Sequence, residues 1–160
     1  MDEKGLFLNF WKRESAATRK VLSRIPQDKS DYKPEPRSRT AREIAWLIVR
    51  EDLALADAIA DGVCNWTEPP PPAKMSEILE LYDRKHDAAT AKMEGAEGPK
   101  WNNKVSFRMD GKELMAAPGT EMAWGFLFDI IHHRGQLTTY LRPMGSTVPA
   151  IYGPSADEQS

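Results

Sequence analysis

The chain has 160 residues, 41% hydrophobic and 29% charged, which predicts a single globular domain over residues 1–160 with a core of its own. Its 22 lysines and arginines stand against 24 acids, a formal net charge of −2 with no long block of one sign, which speaks against binding nucleic acid or an anionic membrane through a basic surface. No stretch reaches the roughly 18 apolar residues of a membrane span, the start Met1-Asp2-Glu3-Lys4-Gly5 is acidic where a signal peptide is basic, and the lone Cys64 has no disulfide partner, so the expected compartment is the cytoplasm.

Four helices follow from the apolar spacing. The first runs from about Leu6 to Ile25, with Phe7, Phe10, Trp11, Ala17, Val21 and Leu22 on one face and Pro26 closing it. A polar loop with Pro34 and Pro36 comes next, and Thr40-Ala41-Arg42-Glu43 reads as a capping box for a second helix reaching Asp61 and stopped by Gly62. Its row Ile44, Leu47, Ile48, Leu55, Ile59 is spaced for a core, and Glu51 and Asp52 are expected to face water, with an inward turn open to Glu51. Pro69 to Pro72 cannot be helical and reads as an extended strap.

A third helix spans about Met75 to Met93, with Ile78, Leu79, Tyr82 and Ala89 inward and His86 on a solvated face. Asp110-Gly111 between two apolar runs signals a small β-hairpin near 105–115. Thr120 is the expected cap of a fourth helix over about Glu121 to Met144, with Gly145 as its stop. The fold class is therefore all-α, a four-helix bundle with a long crossover connection and this small hairpin.

The fourth helix carries the candidate chemistry. At 100° per residue, Asp129, His133, Gln136 and Tyr140 fall in one narrow stripe beside the apolar Phe126, Ile130, Leu137 and Leu141. A carboxylate and an imidazole at i and i+4 can share one divalent metal ion, or can simply bond to each other. His132 and Arg134 point away from the stripe. Cys64 has no base spaced to activate it and reads as a passive thiol.

The string His132-His133-Arg134-Gly135-Gln136-Leu137, followed by Tyr140-Leu141-Arg142-Pro143-Met144-Gly145, Val148-Pro149 and Tyr152-Gly153-Pro154-Ser155, resembles the C-terminal signature of the DinB/YfiT-like proteins. Phe10-Trp11 and Ala41-Arg42-Glu43-Ile44-Ala45-Trp46 agree with the same family. The resemblance implies a homodimeric bundle with a divalent metal held by three histidines. One comes from the second helix just after the Ala-Trp, and two from the fourth at i and i+4. Those positions here are Leu47, Asp129 and His133. A carboxylate can replace a histidine on nickel, zinc, manganese or iron, whereas leucine has no lone pair. The expectation is a degenerate centre with two ligands, Asp129 and His133, and Leu47, Glu51, Gln136 and Tyr140 lining it.

Two functions remain open on this reading. One is a metal-dependent transferase acting with a low-molecular-weight thiol, in which Gln136 or Tyr140 orients substrate and the hairpin covers the mouth. The other is a metal-free bundle that binds a small ligand in its central cleft or serves a structural role as a dimer. The first and fourth helices carry apolar or aromatic residues on more than one side, Trp11 on the first and Trp124 and Ile131 opposite the polar stripe on the fourth, which predicts pairing of two copies through their outer faces.

Overall fold

Helix α1 (Glu3–Ser23) starts three residues before its first apolar position because Asp2 caps it, its carboxylate accepting from the Gly5 amide at 2.8 Å. Its buried residues Phe7, Trp11, Glu14, Thr18, Val21 and Leu22 make one stripe, two members of which are polar. These statements rest on a computed structural model that describes residues 2–159. Helix α2 (Ala41–Asp61) opens with the expected capping box: the Glu43 amide donates to Thr40 Oγ1 at 3.2 Å and the Thr40 amide to Glu43 Oε2 at 2.7 Å. It ends at Gly62, whose φ is +74°.

Helix α3 (Met75–Gly95) and a single-turn α4 (Gly98–Asn102) follow, and α5 (Gly119–Leu141) completes the set. Thr120 does not cap α5. The helix begins two residues earlier, after Pro118, and the Gly119 amide is satisfied by the Asn103 carbonyl at 2.9 Å while Thr120 is buried in the first turn. The long helices form a ring in which α2 packs on α3 and α5, and α1 packs on the same two. Phe7, Trp11, Leu22, Ile44, Ile48, Leu55, Ile59, Ile78, Met93, Leu127, Leu137 and Leu141 fill the space between them.

The hairpin lies where expected, as β2 (Lys104–Met109) and β3 (Lys112–Pro118), and its turn needs two left-handed residues, supplied by Asp110 at φ +51° and Gly111 at φ +77°. A strand the sequence did not announce, β1 (Val63–Trp66), pairs parallel to β2 and makes a three-stranded sheet of order β1-β2-β3. A strand of four residues is too short for periodicity to register. Cys64 and Trp66 point inward from β1 and join Leu47, Ala58, Val105, Ala117 and Met122 in a second, smaller core. The strap itself is tied to α2 by Trp46, which donates to the Pro69 carbonyl at 3.0 Å, and by Arg42, which donates to that of Pro72 at 3.1 Å.

Polar pairs join the helices around the ring. Glu14 of α1 meets Arg134 of α5 at 2.9 Å, His133 of α5 meets Glu51 of α2 at 3.4 Å, and Asp52 of α2 meets His86 of α3 at 2.7 Å. Trp11 Nε1 closes the circuit from α1 to α3 by donating to Thr90 Oγ1 at 2.8 Å. Three expectations are corrected here. Glu51 and Asp52 do not face water; each is 2% exposed. His86 does not lie on a solvated face but is stacked between Trp11 and Tyr82, at centroid distances of 4.9 and 5.6 Å. Trp11 is therefore core and cannot serve as an outer contact for a second copy, while Trp124 and Ile131 are half-buried against the same core.

Candidate metal centre in an apolar cleft

Helices α2 and α5 lie side by side, and each presents one turn to the other. From α2 come Leu47 and Glu51, and from α5 come Asp129 and His133, both pairs four residues apart and so one above the other. One ligand atom from each of Glu51, Asp129 and His133 lies within 4.8 Å of the others. His133 Nε2 is 3.4 Å from Glu51 Oε1 and 3.5 Å from Asp129 Oδ1. Glu51 is buried and Asp129 exposed, so the cluster has a dry side and a wet side.

The electrostatics are those of a site short of positive charge. Burial pushes the Glu51 carboxyl up to about 7; the neighbouring imidazole opposes this and the Asp129 carboxylate reinforces it. Burial disfavours charge on His133, yet hydrogen bonds to Glu51 and Gln136 and the charges of both acids outweigh it, so its pKa lies above that of free imidazole. Gln136 Oε1 sits 3.1 Å from His133 Nδ1, which assigns the proton to that nitrogen and leaves Nε2 turned toward the two carboxylates. Glu51 Oε2 is buried without a hydrogen-bond partner among the described residues. A buried, unsatisfied carboxylate oxygen beside a second carboxylate and a correctly oriented imidazole is a donor set that fits a divalent cation.

This cluster opens onto a cleft of about 730 Å³. Leu47, Trp66, Phe107, Met115, Met122, Phe126 and Phe128 make its walls, and the sheet supplies one of them. Arg39, Glu121 and His132 stand with the cluster as its polar groups.

The profile of the DinB family matches residues 1–160. The chain belongs to the DinB family. The uncharacterized protein YrdA of Bacillus subtilis strain 168 is 27% identical over 161 residues, covering 95% of this chain and 89% of YrdA. Among solved structures, a DinB-like protein from Bacillus cereus ATCC 10987 is similar with a TM-score of 0.76 and 21% identity, over 91% of this chain and 95% of that one. A mycothiol-dependent maleylpyruvate isomerase is similar with a TM-score of 0.62 and 12% identity, over 84% of this chain and 60% of that one. These two likenesses establish the shared DinB-like fold.

Within this DinB-family chain the residues singled out from the sequence separate clearly. Asp129 and His133 converge as their spacing required, and Glu51 joins them, so the cluster holds three donor residues where two were expected. Leu47 is in the wall of the cleft, one helical turn before Glu51 on the same face. Gln136 touches His133 and also His132, its Nε2 lying 3.0 Å from His132 Nε2. Tyr140 is elsewhere: it is buried, packs edge-on against Tyr32, and donates to the Arg39 carbonyl at 3.2 Å. Cys64 is buried with its thiol pushed up to about 11, first by burial and then by Asp57, which makes it a poor nucleophile.

Sequence reasoning left the inward turn of Glu51 open without making it a ligand, and it missed the burial of Arg134 as a core cation. A signal for Glu51 was present: it follows Leu47 by four residues and precedes Leu55 by four, inside the apolar stripe of α2. Arg134 had no comparable signal, since its partner Glu14 is distant in sequence.

Proposed function

We propose that this DinB-family chain holds a divalent metal ion between Glu51, Asp129 and His133 and is a metal-dependent enzyme acting on a small molecule with a low-molecular-weight thiol as co-reactant. The observation that carries the proposal is the buried Glu51 carboxylate, which keeps its Oε2 without a partner among the described residues while one of its oxygens lies within 4.8 Å of a donor atom of Asp129 and of His133. Two oxygens and one nitrogen suit zinc, manganese, iron or nickel, and three protein ligands leave coordination positions free for a reactant. Bound there, the ion would lower the pKa of a thiol or water. The remaining work falls to protein groups. Gln136 holds the His133 ring and its tautomer, the Leu47–Trp66–Phe126 walls exclude water, and Asp129 faces the open side. The mycothiol dependence in the name of the similar isomerase supports the thiol as co-reactant.

Elemental analysis of protein purified without a metal-affinity tag tests this directly. About one equivalent of metal per chain, lost in His133→Ala, is the expected result; a chain that neither carries nor takes up zinc, manganese, iron or nickel would overturn it. A panel of thiols with an electrophilic acceptor then measures turnover.

A second reading is favoured by one specific contact. Glu51 and His133 can share a proton and remain paired without a cation, as a polar anchor for a ligand in a metal-free cleft. Ligand binding that is indifferent to metal removal would select it. We also propose that two copies pair through exposed apolar residues such as Leu6 and Leu114, a state read by light scattering at micromolar concentration.

A further inference from the structure

We infer that the cleft beside the Glu51–Asp129–His133 cluster is built to take an uncharged aromatic ring system. The inference deepens the functional reading above, because it names the ligand class of the same site.

Size comes first. About 730 Å³ lies within the range of roughly 300–1,000 Å³ typical of sites that enclose a small organic molecule. Shape comes next. Three rings form a continuous wall: Trp66 lies 6.0 Å from Phe107, and Phe107 lies 6.1 Å from Phe126, with interplanar angles of 35° and 49°. Trp66 is fixed in that wall, since the Arg50 guanidinium sits over its ring at 4.1 Å and its Nε1 donates to Glu68 at 3.2 Å. At the mouth, Phe128 is 61% exposed and Met115 51% exposed. A flat apolar molecule between wall and mouth would take both out of water and meet ring faces and edges in favourable geometry.

Charge decides the class further. Among the described residues, Arg39 is the one lysine or arginine lining the cleft, and its guanidinium already faces Glu68 at 3.8 Å. Three carboxylates, Glu51, Glu121 and Asp129, line the same space. In the metal-free cleft an anionic ligand would meet these carboxylates with only the paired Arg39 and the cluster's own imidazole to offset them, and its desolvation against apolar walls would be poorly compensated. A neutral ring system incurs neither cost.

The test uses N-phenylnaphthylamine, a neutral aromatic probe that brightens when desolvated, against its anionic counterpart anilinonaphthalene sulfonate. Chelator-treated full-length protein is titrated with each probe, and metal uptake is measured on a separate portion. Saturable binding of the neutral probe is expected, with the sulfonate weaker by at least about tenfold and Phe126→Ser weaker by at least about tenfold. Phe128→Ser, at an exposed position that the fold does not need, should weaken it about three- to tenfold with unchanged circular dichroism. Equal binding by wild type and Phe128→Ser, equal affinity for both probes, or no binding at all would each overturn the inference. Metal uptake without probe binding would sink this inference alone; probe binding without metal uptake would sink only the metal reading.

Discussion

Glu51 and Asp52 are consecutive residues of α2, equally buried, and they serve two different helices: Glu51 turns to His133 on α5 and Asp52 to His86 on α3. The 100° step of a helix is what sends neighbours to different partners. The two contacts differ in completeness. Asp52 makes a 2.7 Å bond to an imidazole held between two aromatic rings, whereas Glu51 makes a longer contact and keeps one oxygen unsatisfied. The first joins helices as a structural pair does; the second has capacity left for a ligand.

That difference predicts a double dissociation. Asp52→Ala should lower stability by about 2 kcal/mol, the worth of a buried bond to an ionisable group, with metal affinity changed less than threefold or so. Glu51→Gln should do the reverse, weakening zinc or manganese binding about 100-fold at modest cost in stability, since each ligand of a protein zinc site carries roughly 3 kcal/mol. Urea unfolding and calorimetric titration read the two effects separately.

The pH dependence of the metal-free protein follows from two groups. The folded pKa values of Glu51, at about 7, and of His133 both lie above their ordinary values. A raised folded pKa means the native state binds more protons than the unfolded chain, so the contribution is full at low pH and lost as pH rises through the folded value. The Glu51 contribution should disappear between about pH 4.5 and 7, and that of His133 as pH rises past its own raised value. Thermal unfolding midpoints of chelated protein should therefore fall from pH 6 to pH 8.5. A bound cation takes the place of those protons, so the stabilisation by zinc should grow over the same interval, and a flat zinc effect would contradict the cluster described above.

Arg134 and Glu14 form the most buried pair of opposite charge, and Arg134 also donates to the Glu14 carbonyl at 3.1 Å and to Tyr152 Oη at 2.5 Å. Burial works against charge on Glu14, but bonds from Tyr152 and Arg134 outweigh it and hold its pKa below the usual carboxylate range. Arg134→Met should cost about 3 kcal/mol because it strands a buried carboxylate, and Glu14→Gln in that background should recover part of the loss. A double-mutant cycle in urea measures the coupling.

Gly119 opens α5 against the carbonyls of α4. A Cβ there would lie 2.8 Å from the Trp101 oxygen and 3.1 Å from that of Lys100, both backbone atoms that cannot yield easily. Gly119→Ala should therefore destabilise by about 1–3 kcal/mol, although alanine is the better helix former. A neutral or stabilising result in chemical denaturation would show that the α4–α5 junction can open.

Leu47→His places an imidazole one turn before Glu51 on the same face of the cleft. It should tighten zinc binding at least about tenfold if its nitrogen reaches the cluster, as competition with a chelator would show. Unchanged affinity would mean that position 47 serves only the apolar wall.

Local chemistry is written in the sequence because local contacts carry it. The Thr40–Glu43 capping box, the stop at Gly62, the Asp110-Gly111 turn and the convergence of Asp129 with His133 each depend on residues a few positions apart, and each was legible before any coordinates. Membership of the DinB family was legible for the same reason, through a contiguous string in α5 and the segment after it. Pairings between distant segments were not. Whether Glu51 faces water or His133, whether His86 is solvated or sandwiched by Trp11 and Tyr82, and whether Arg134 finds Glu14 depend on which helices become neighbours. The third donor of the candidate centre belongs to this second class: the α2 stripe permitted an inward Glu51, but only the packing of α2 against α5 brings that carboxylate to the imidazole, because burial is a property of the assembled ring of helices and not of any one of them.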